Sequence, residues 1–185
     1  MTTINGLPAH ILLVHAIVVL LPLSALLLVL SGVWDTARRK FAGANALLAV
    51  LVVVLVPITT DAGEWLERRV PRTDLVRTHT ELGDSALFFA IPVAVLALVM
   101  WWRQRESTAT ATAESEVDGG PTAAARRTLL APGSKPVTIV LAVLTVLAAG
   151  AACYQVYRIG DSGARASWQD QFSSTPAPGR PGGDH

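Results

Sequence analysis

Three of the four histidines in this 185-residue chain, His10, His15 and His79, stand at the borders of long charge-free segments. Imidazole changes charge near neutral pH and is the commonest protein metal ligand. His15 is the sharpest of the three. It lies about one helical turn inside an apolar run, between Val14 and Ala16. A polar ring at that depth needs a partner, because an unpaired polar group in hydrocarbon costs on the order of several kcal/mol. Ionisable residues inside membrane spans are functional candidates by default. A bond to a nearby carbonyl or to water at the interface is the bland alternative. His79 precedes a second apolar run; on a helix it shares one face with Leu82, Ala86 and Phe89. His10 stands five residues before His15, so on a straight helix the two rings point roughly 140° apart. His10 is therefore read as an interfacial anchor, and His15 with His79 as the pair that can share a site.

Two carboxylates join them in sequence terms. Asp61 and Glu64 follow the second apolar run at i, i+3 and share a helix face. A set of His15, His79, Asp61 and Glu64 suits zinc or iron. An ion pair of Glu64 with Arg68 is the structural alternative for that carboxylate. Gly160-Asp-Ser-Gly163 copies the core of a serine-protease loop, but four residues without partner groups carry no catalytic geometry. No Gly-rich phosphate loop, paired-cysteine motif or HExxH motif occurs, so the sequence offers no catalytic constellation.

The elements that must hold these residues are plain. Residues His10–Leu30, Phe41–Thr60, Ser85–Trp102 and Pro136–Tyr157 contain no charge. Each run is about 18–22 residues, the length a helix needs to cross a bilayer. Apolar residues make up 51% of the chain and the mean hydropathy is +0.45, both high for a soluble protein. The predicted fold is an all-α, four-helix transmembrane up-and-down bundle. Its domain covers residues 1–168, with spans at about 10–33, 41–60, 83–102 and 136–157. Residues 106–121, rich in Ala, Thr, Glu and Gly without apolar periodicity, read as a disordered linker, and residues 169–185 as a disordered tail. His185 in that tail has no structural role to play. Cys153, the single cysteine, reads as a buried, inert thiol of the fourth span. The basic residues are scattered and the net charge is only +1, so no nucleic-acid surface is expected.

Orientation rests on the first helix. No Lys or Arg precedes it and three, Arg38, Arg39 and Lys40, follow it directly. The positive-inside rule then puts that connection in the cytoplasm and both termini outside a plasma membrane that the chain crosses four times. His15, His79, Asp61 and Glu64 all fall on the extracytoplasmic side. Charges of both signs in Asp61–Asp84 predict a salt-bridged amphipathic helix there, with Thr73 or Asp74 as its cap.

Four stretches together resemble a known family. They are Asn5-Gly-Leu-Pro-Ala-His-Ile-Leu-Leu-Val-His15, Thr60-Asp-Ala-Gly-Glu64, His79-Thr-Glu-Leu-Gly-Asp84 and Tyr157-Arg-Ile-Gly-Asp-Ser-Gly-Ala-Arg-Ala-Ser-Trp168. They look like the motifs of the bacterial four-helix membrane proteins called domain of unknown function 2231. The last motif often has histidine where this chain has Asp161. The resemblance implies a redox setting by association, since relatives share the hydrophobic layout of two-haem membrane cytochromes and some are fused to Rieske or cytochrome modules. The other half of this bundle has no histidine, so a second bis-histidine haem cannot be built.

The expectation is thus an integral membrane protein with one extracytoplasmic histidine site. His15 and His79 would hold a b-type haem, or would join Asp61 and Glu64 around a zinc or iron ion, in contact with a membrane electron-transfer protein. The alternative is a cofactor-free accessory or interaction subunit in the lipid bilayer. Orientation is directly testable in a Cys153→Ser background. Cysteine placed at Ser115 should stay unlabelled by an impermeant thiol reagent in intact cells and react after lysis; labelling in intact cells would reverse the orientation.

Overall fold

A helix in hydrocarbon must satisfy its backbone within itself, and this chain is helical along nearly all of its described residues. The computed structural model describes residues 3–4, 6–116 and 135–169. A two-residue antiparallel pairing of β1 (Thr3–Ile4) with β2 (Leu7–Pro8) leads into α1 (Ala9–Val33). Then follow α2 (Asp35–Glu67), α3 (Asp74–Asp84), α4 (Ala86–Glu116) and α5 (Lys135–Trp168). Thr73 caps α3, its hydroxyl accepting from the Val76 N–H at 3.2 Å. Only Ser85 separates α3 from α4. Its N–H donates to the Leu82 carbonyl at 3.3 Å, and its own carbonyl accepts from Phe88 at 3.1 Å, so the charged α3 runs on without a loop into the apolar α4. Four helices are long and apolar enough to cross a membrane, with α3 and α4 counted as one. In the all-α bundle, α1 packs on α2 and α5, α4 packs on the same two, and α1 and α4 stand diagonally.

The helices overrun the charge-free runs. The basic connection after the first span is not a loop: Trp34 alone leaves helical geometry (φ −133°, ψ 113°), and Asp35–Lys40 form the first turns of α2. Asp35 there pairs with Arg38. The expected linker is helical through Glu116. Ala, Glu and Gln favour helix, Ser107 and Thr108 return their hydroxyls to the carbonyls of Arg103 and Gln104, and the Trp102 indole donates to Glu106. The rest of that linker, residues 117–121, and residues 170–185 of the expected tail lie outside the described residues. Cys153 faces outward rather than into the core.

Small residues set the spacing inside. Ala25, Ala49, Ala97 and Ala152 are all but inaccessible, and they let Leu28, Val52, Val93 and Met100 interlock at the centre. The outer surface is as apolar as the core: Val19, Leu47, Phe88, Ile139 and Leu147 all point away from the bundle. Lipid, not water, suits that surface.

Midway along α1 and α2 the Ser24 hydroxyl donates to Asn45 Oδ1 at 2.9 Å, with both residues fully enclosed. At the end of the bundle carrying Arg38–Lys40, here the arginine end, buried Arg103 on α4 donates from Nη2 to Thr138 Oγ1 on α5 at 2.6 Å. Interhelical bonds of this kind contribute about 0.6 kcal/mol on average and up to roughly 1.7. Ser24→Ala should therefore lower stability by about 1 kcal/mol in a detergent-unfolding titration, since it strands the Asn45 carbonyl oxygen. Adding Asn45→Ala should then cost less than Asn45→Ala does alone.

Candidate functional site

Four helices converge at the opposite end, here the histidine end. His10 lies in the first turn of α1, Thr59 and Gly63 in the last part of α2, His79 in α3, and Ser162 and Gly163 near the end of α5. The rings of His10 and His79 meet edge to face, with centroids 6.2 Å apart and planes at 78°. Both are half-buried.

Each ring is fixed through Nδ1. His10 Nδ1 lies 2.9 Å from the Thr59 carbonyl oxygen, which can only accept, so Nδ1 carries the proton. His79 Nδ1 lies 3.0 Å from Ser162 Oγ. That hydroxyl donates to the Ile159 carbonyl at 2.9 Å and so accepts from His79. In the neutral form of both rings the lone pair is therefore on Nε2. Ser162 has spent its proton on a backbone carbonyl and is not primed as a nucleophile, which agrees with the rejection of the protease-like tetrapeptide.

Two glycines make room for these rings. A Cβ at Gly63 would stand 2.9 Å from Cε1 and Nδ1 of His10, and one at Gly163 would stand 3.0 Å from Cε1 of His79. Alanine at either position would push a ring from its hydrogen bond. Below the pair lies a cavity of about 60 Å³, lined by His10, His79, Thr59, Thr60 and Gln155 among otherwise apolar side chains. Its volume is that of about two waters. Gln155, buried in the fourth span, donates to Ser85 Oγ at 2.6 Å and to the Leu82 carbonyl at 3.2 Å, so it clasps the joint between α3 and α4.

The expected partner of His79 is thus replaced. His15 is exposed on the outer face of α1, with Nδ1 2.6 Å from the carbonyl of Ile11 on its own helix. It is His10 that reaches His79. The 140° between the two α1 histidines is real, but the stripe of α1 facing the bundle runs through Leu21, Ser24, Leu28 and Ser31. His10 falls on that stripe, two heptads before Ser24, and His15 does not. Asp61 and Glu64 are not drawn in either. Both are exposed, and Glu64 lies 3.8 Å from Arg68. Among the described residues no group of three or more His, Cys, Asp or Glu side chains gathers in a metal-binding arrangement. Thr59, Gln155, Ser162 and the packing roles of Gly63 and Gly163 were missed. The heptad spacing of His10, Ser24 and Ser31, and a lone glutamine in an apolar span, were the available signals.

α3 carries Asp74, Arg77, Glu81 and Asp84 and lies ahead of the charge-free run, so His79 sits outside the spanning segment. Burial, and then the neighbouring His10, hold its pKa below the ordinary value of 6.5, against an opposing pull from the Ile159 carbonyl. The folded state thus prefers neutral His79. Its contribution is fully present above pH 6.5 and is lost as pH falls through the lowered folded value. The thermal midpoint should drop between pH 7.5 and pH 5, roughly, and His79→Gln should flatten that dependence. An unchanged slope in the variant would place the pH response elsewhere.

No curated protein and no solved structure matches the chain. The family model described as "Predicted membrane protein (DUF2231)" matches residues 6–176. That span takes in every residue of the histidine end and all four membrane-length helices, and the chain belongs to this family.

Proposed function

We propose that this integral membrane protein uses its histidine end as a two-imidazole site, in which Nε2 of His10 and Nε2 of His79 hold one divalent transition-metal ion with water or a small ligand completing the shell. The observation that carries this reading is the double Nδ1 bond. A metal-binding histidine characteristically gives its other N–H to a carbonyl or similar acceptor, which fixes the tautomer and the ring. Both rings here are fixed in that way, from two helices, 6.2 Å apart. Burial holds the His79 pKa below its ordinary value, which favours the unprotonated ring that a ligand requires.

Haem does not fit these residues. His15 is turned away from His79, and the cavity of about 60 Å³ is far below the roughly 300 Å³ at which small-molecule pockets begin. An electron-transfer partner rests on the family resemblance alone, and a redox-active ion at His10 and His79 is the form that role would take.

One observation favours a second reading. Structural metal sites usually have four ligands and catalytic ones three from the protein, whereas only two histidines gather here. The pair would then be a polar clasp of a cofactor-free accessory subunit. Metal analysis of detergent-purified protein, dialysed against zinc or copper, separates the two. The metal reading expects about one ion per chain in wild type and in His15→Ala. His10→Ala and His79→Ala should each lose most of it, and the double variant little more, because one lost ligand already breaks the site. Wild type without stoichiometric metal would leave the clasp reading standing.

A further inference from the structure

At the arginine end, a groove of about 500 Å³ opens between the first turns of α2 and the continuation of α4. Arg39, Lys40 and Gly43 form one wall and Trp101, Gln104 and Arg105 the other. Three cations line it and no carboxylate does. None of the three forms an ion pair among the described residues; the nearby acids Asp35 and Glu106 are bound to Arg38 and to the Trp102 indole. Arg105 lies over the Trp101 ring at 4.9 Å and Lys40 over Phe41 at 5.4 Å. Arg103, two residues before Arg105, turns inward onto Thr138 and takes no part.

The level of the groove is fixed by its surroundings. Trp34, Trp101 and Trp102 cluster at this end, and tryptophan concentrates at the membrane–water boundary. One turn deeper, Leu47 follows Gly43 on α2 and Leu98 precedes Trp101 on α4, both exposed. The basic groove therefore opens toward the membrane centre onto an apolar surface between the same two helices. A free anion has no use for that surface, but a lipid chain does.

We infer that this groove is a binding site for an anionic glycerophospholipid. Its phosphate would lie among Arg39, Lys40 and Arg105, its glycerol against Trp101, and an acyl chain along Leu47 and Leu98. Arginine matches phosphate with a fork of N–H donors, and basic residues beside a membrane surface each strengthen binding to anionic lipid about fivefold. The inference is independent of the metal reading, since it concerns the other end of the bundle.

The test uses the full chain in a neutral detergent, with native mass spectrometry counting retained lipid and thermal unfolding as a second readout. Phosphatidylglycerol should bind saturably and raise the unfolding midpoint by a few degrees or so, as a ligand of the folded state does. Phosphatidylcholine and millimolar inorganic phosphate should do neither. The Arg39→Gln/Lys40→Gln/Arg105→Gln variant should bind phosphatidylglycerol roughly 100-fold more weakly. An Arg68→Gln/Arg69→Gln/Arg72→Gln control, altered at the histidine end, should bind as wild type does. Since all three groove cations are exposed, the variant should fold; if circular dichroism shows otherwise, Arg105→Gln alone should weaken binding about fivefold. Equal binding by the groove variant, an equal effect of phosphatidylcholine, or an effect reproduced by inorganic phosphate would each overturn the lipid site.

Discussion

Hydrocarbon offers no hydrogen bonds, and the arrangement of this bundle follows from that. In water a stray polar side chain can turn outward; in a membrane it must find a partner on its own helix or on a neighbour. Thr59, Thr145 and Ser107 solve the problem locally, by returning their hydroxyls to carbonyls three or four residues earlier. Ser24 with Asn45, His10 with Thr59 and Gln155 with Ser85 solve it between elements. Lipid tails do not drive apolar helices together as water does, so these few bonds and the close packing of alanine decide which faces meet.

The same constraint gathers chemistry at the histidine end. His10, at the start of the first span, and His79, just ahead of the third, both turn inward. Glycine at 63 and 163 admits them, while a carbonyl and a hydroxyl hold them. The family motifs take on physical meaning in this light. Within Thr60–Glu64 it is the glycine, not the two acids, that touches the site, and in the fourth motif it is Ser162 and Gly163. The acids stay in the solvated layer, where Glu64–Arg68 and Arg77–Glu81 form exposed pairs worth little to stability.

The two ends are built on opposite principles. At the histidine end the rings are fixed by internal bonds beside a cavity of about 60 Å³. The arginine end is open. Its three exposed cations line a groove with no carboxylate in its walls. The pair of imidazoles at one end and the basic groove at the other are joined by one apolar frame.

The sequence by itself determined the class of the fold, because a charge-free run of membrane length has few other fates. It also narrowed the start of α3 to a cap at Thr73 or Asp74, and the structure has Thr73. What it did not determine was the rotation of each helix about its axis. In a soluble bundle the polar face reveals that rotation, but α1 is apolar nearly all round, since lipid and core ask for the same residues. The sequence therefore favoured His15 over His10 by its depth alone, and the packed neighbours chose His10: Thr59 and Gly63 on α2 receive it, while Ser162 and Gly163 on α5 hold His79. Residues 106–116, read from the sequence as disordered linker, are helix for a related reason. Without an apolar stripe, periodicity says nothing, and that segment is carried on as helix by local propensity and by side-chain bonds to the preceding turn.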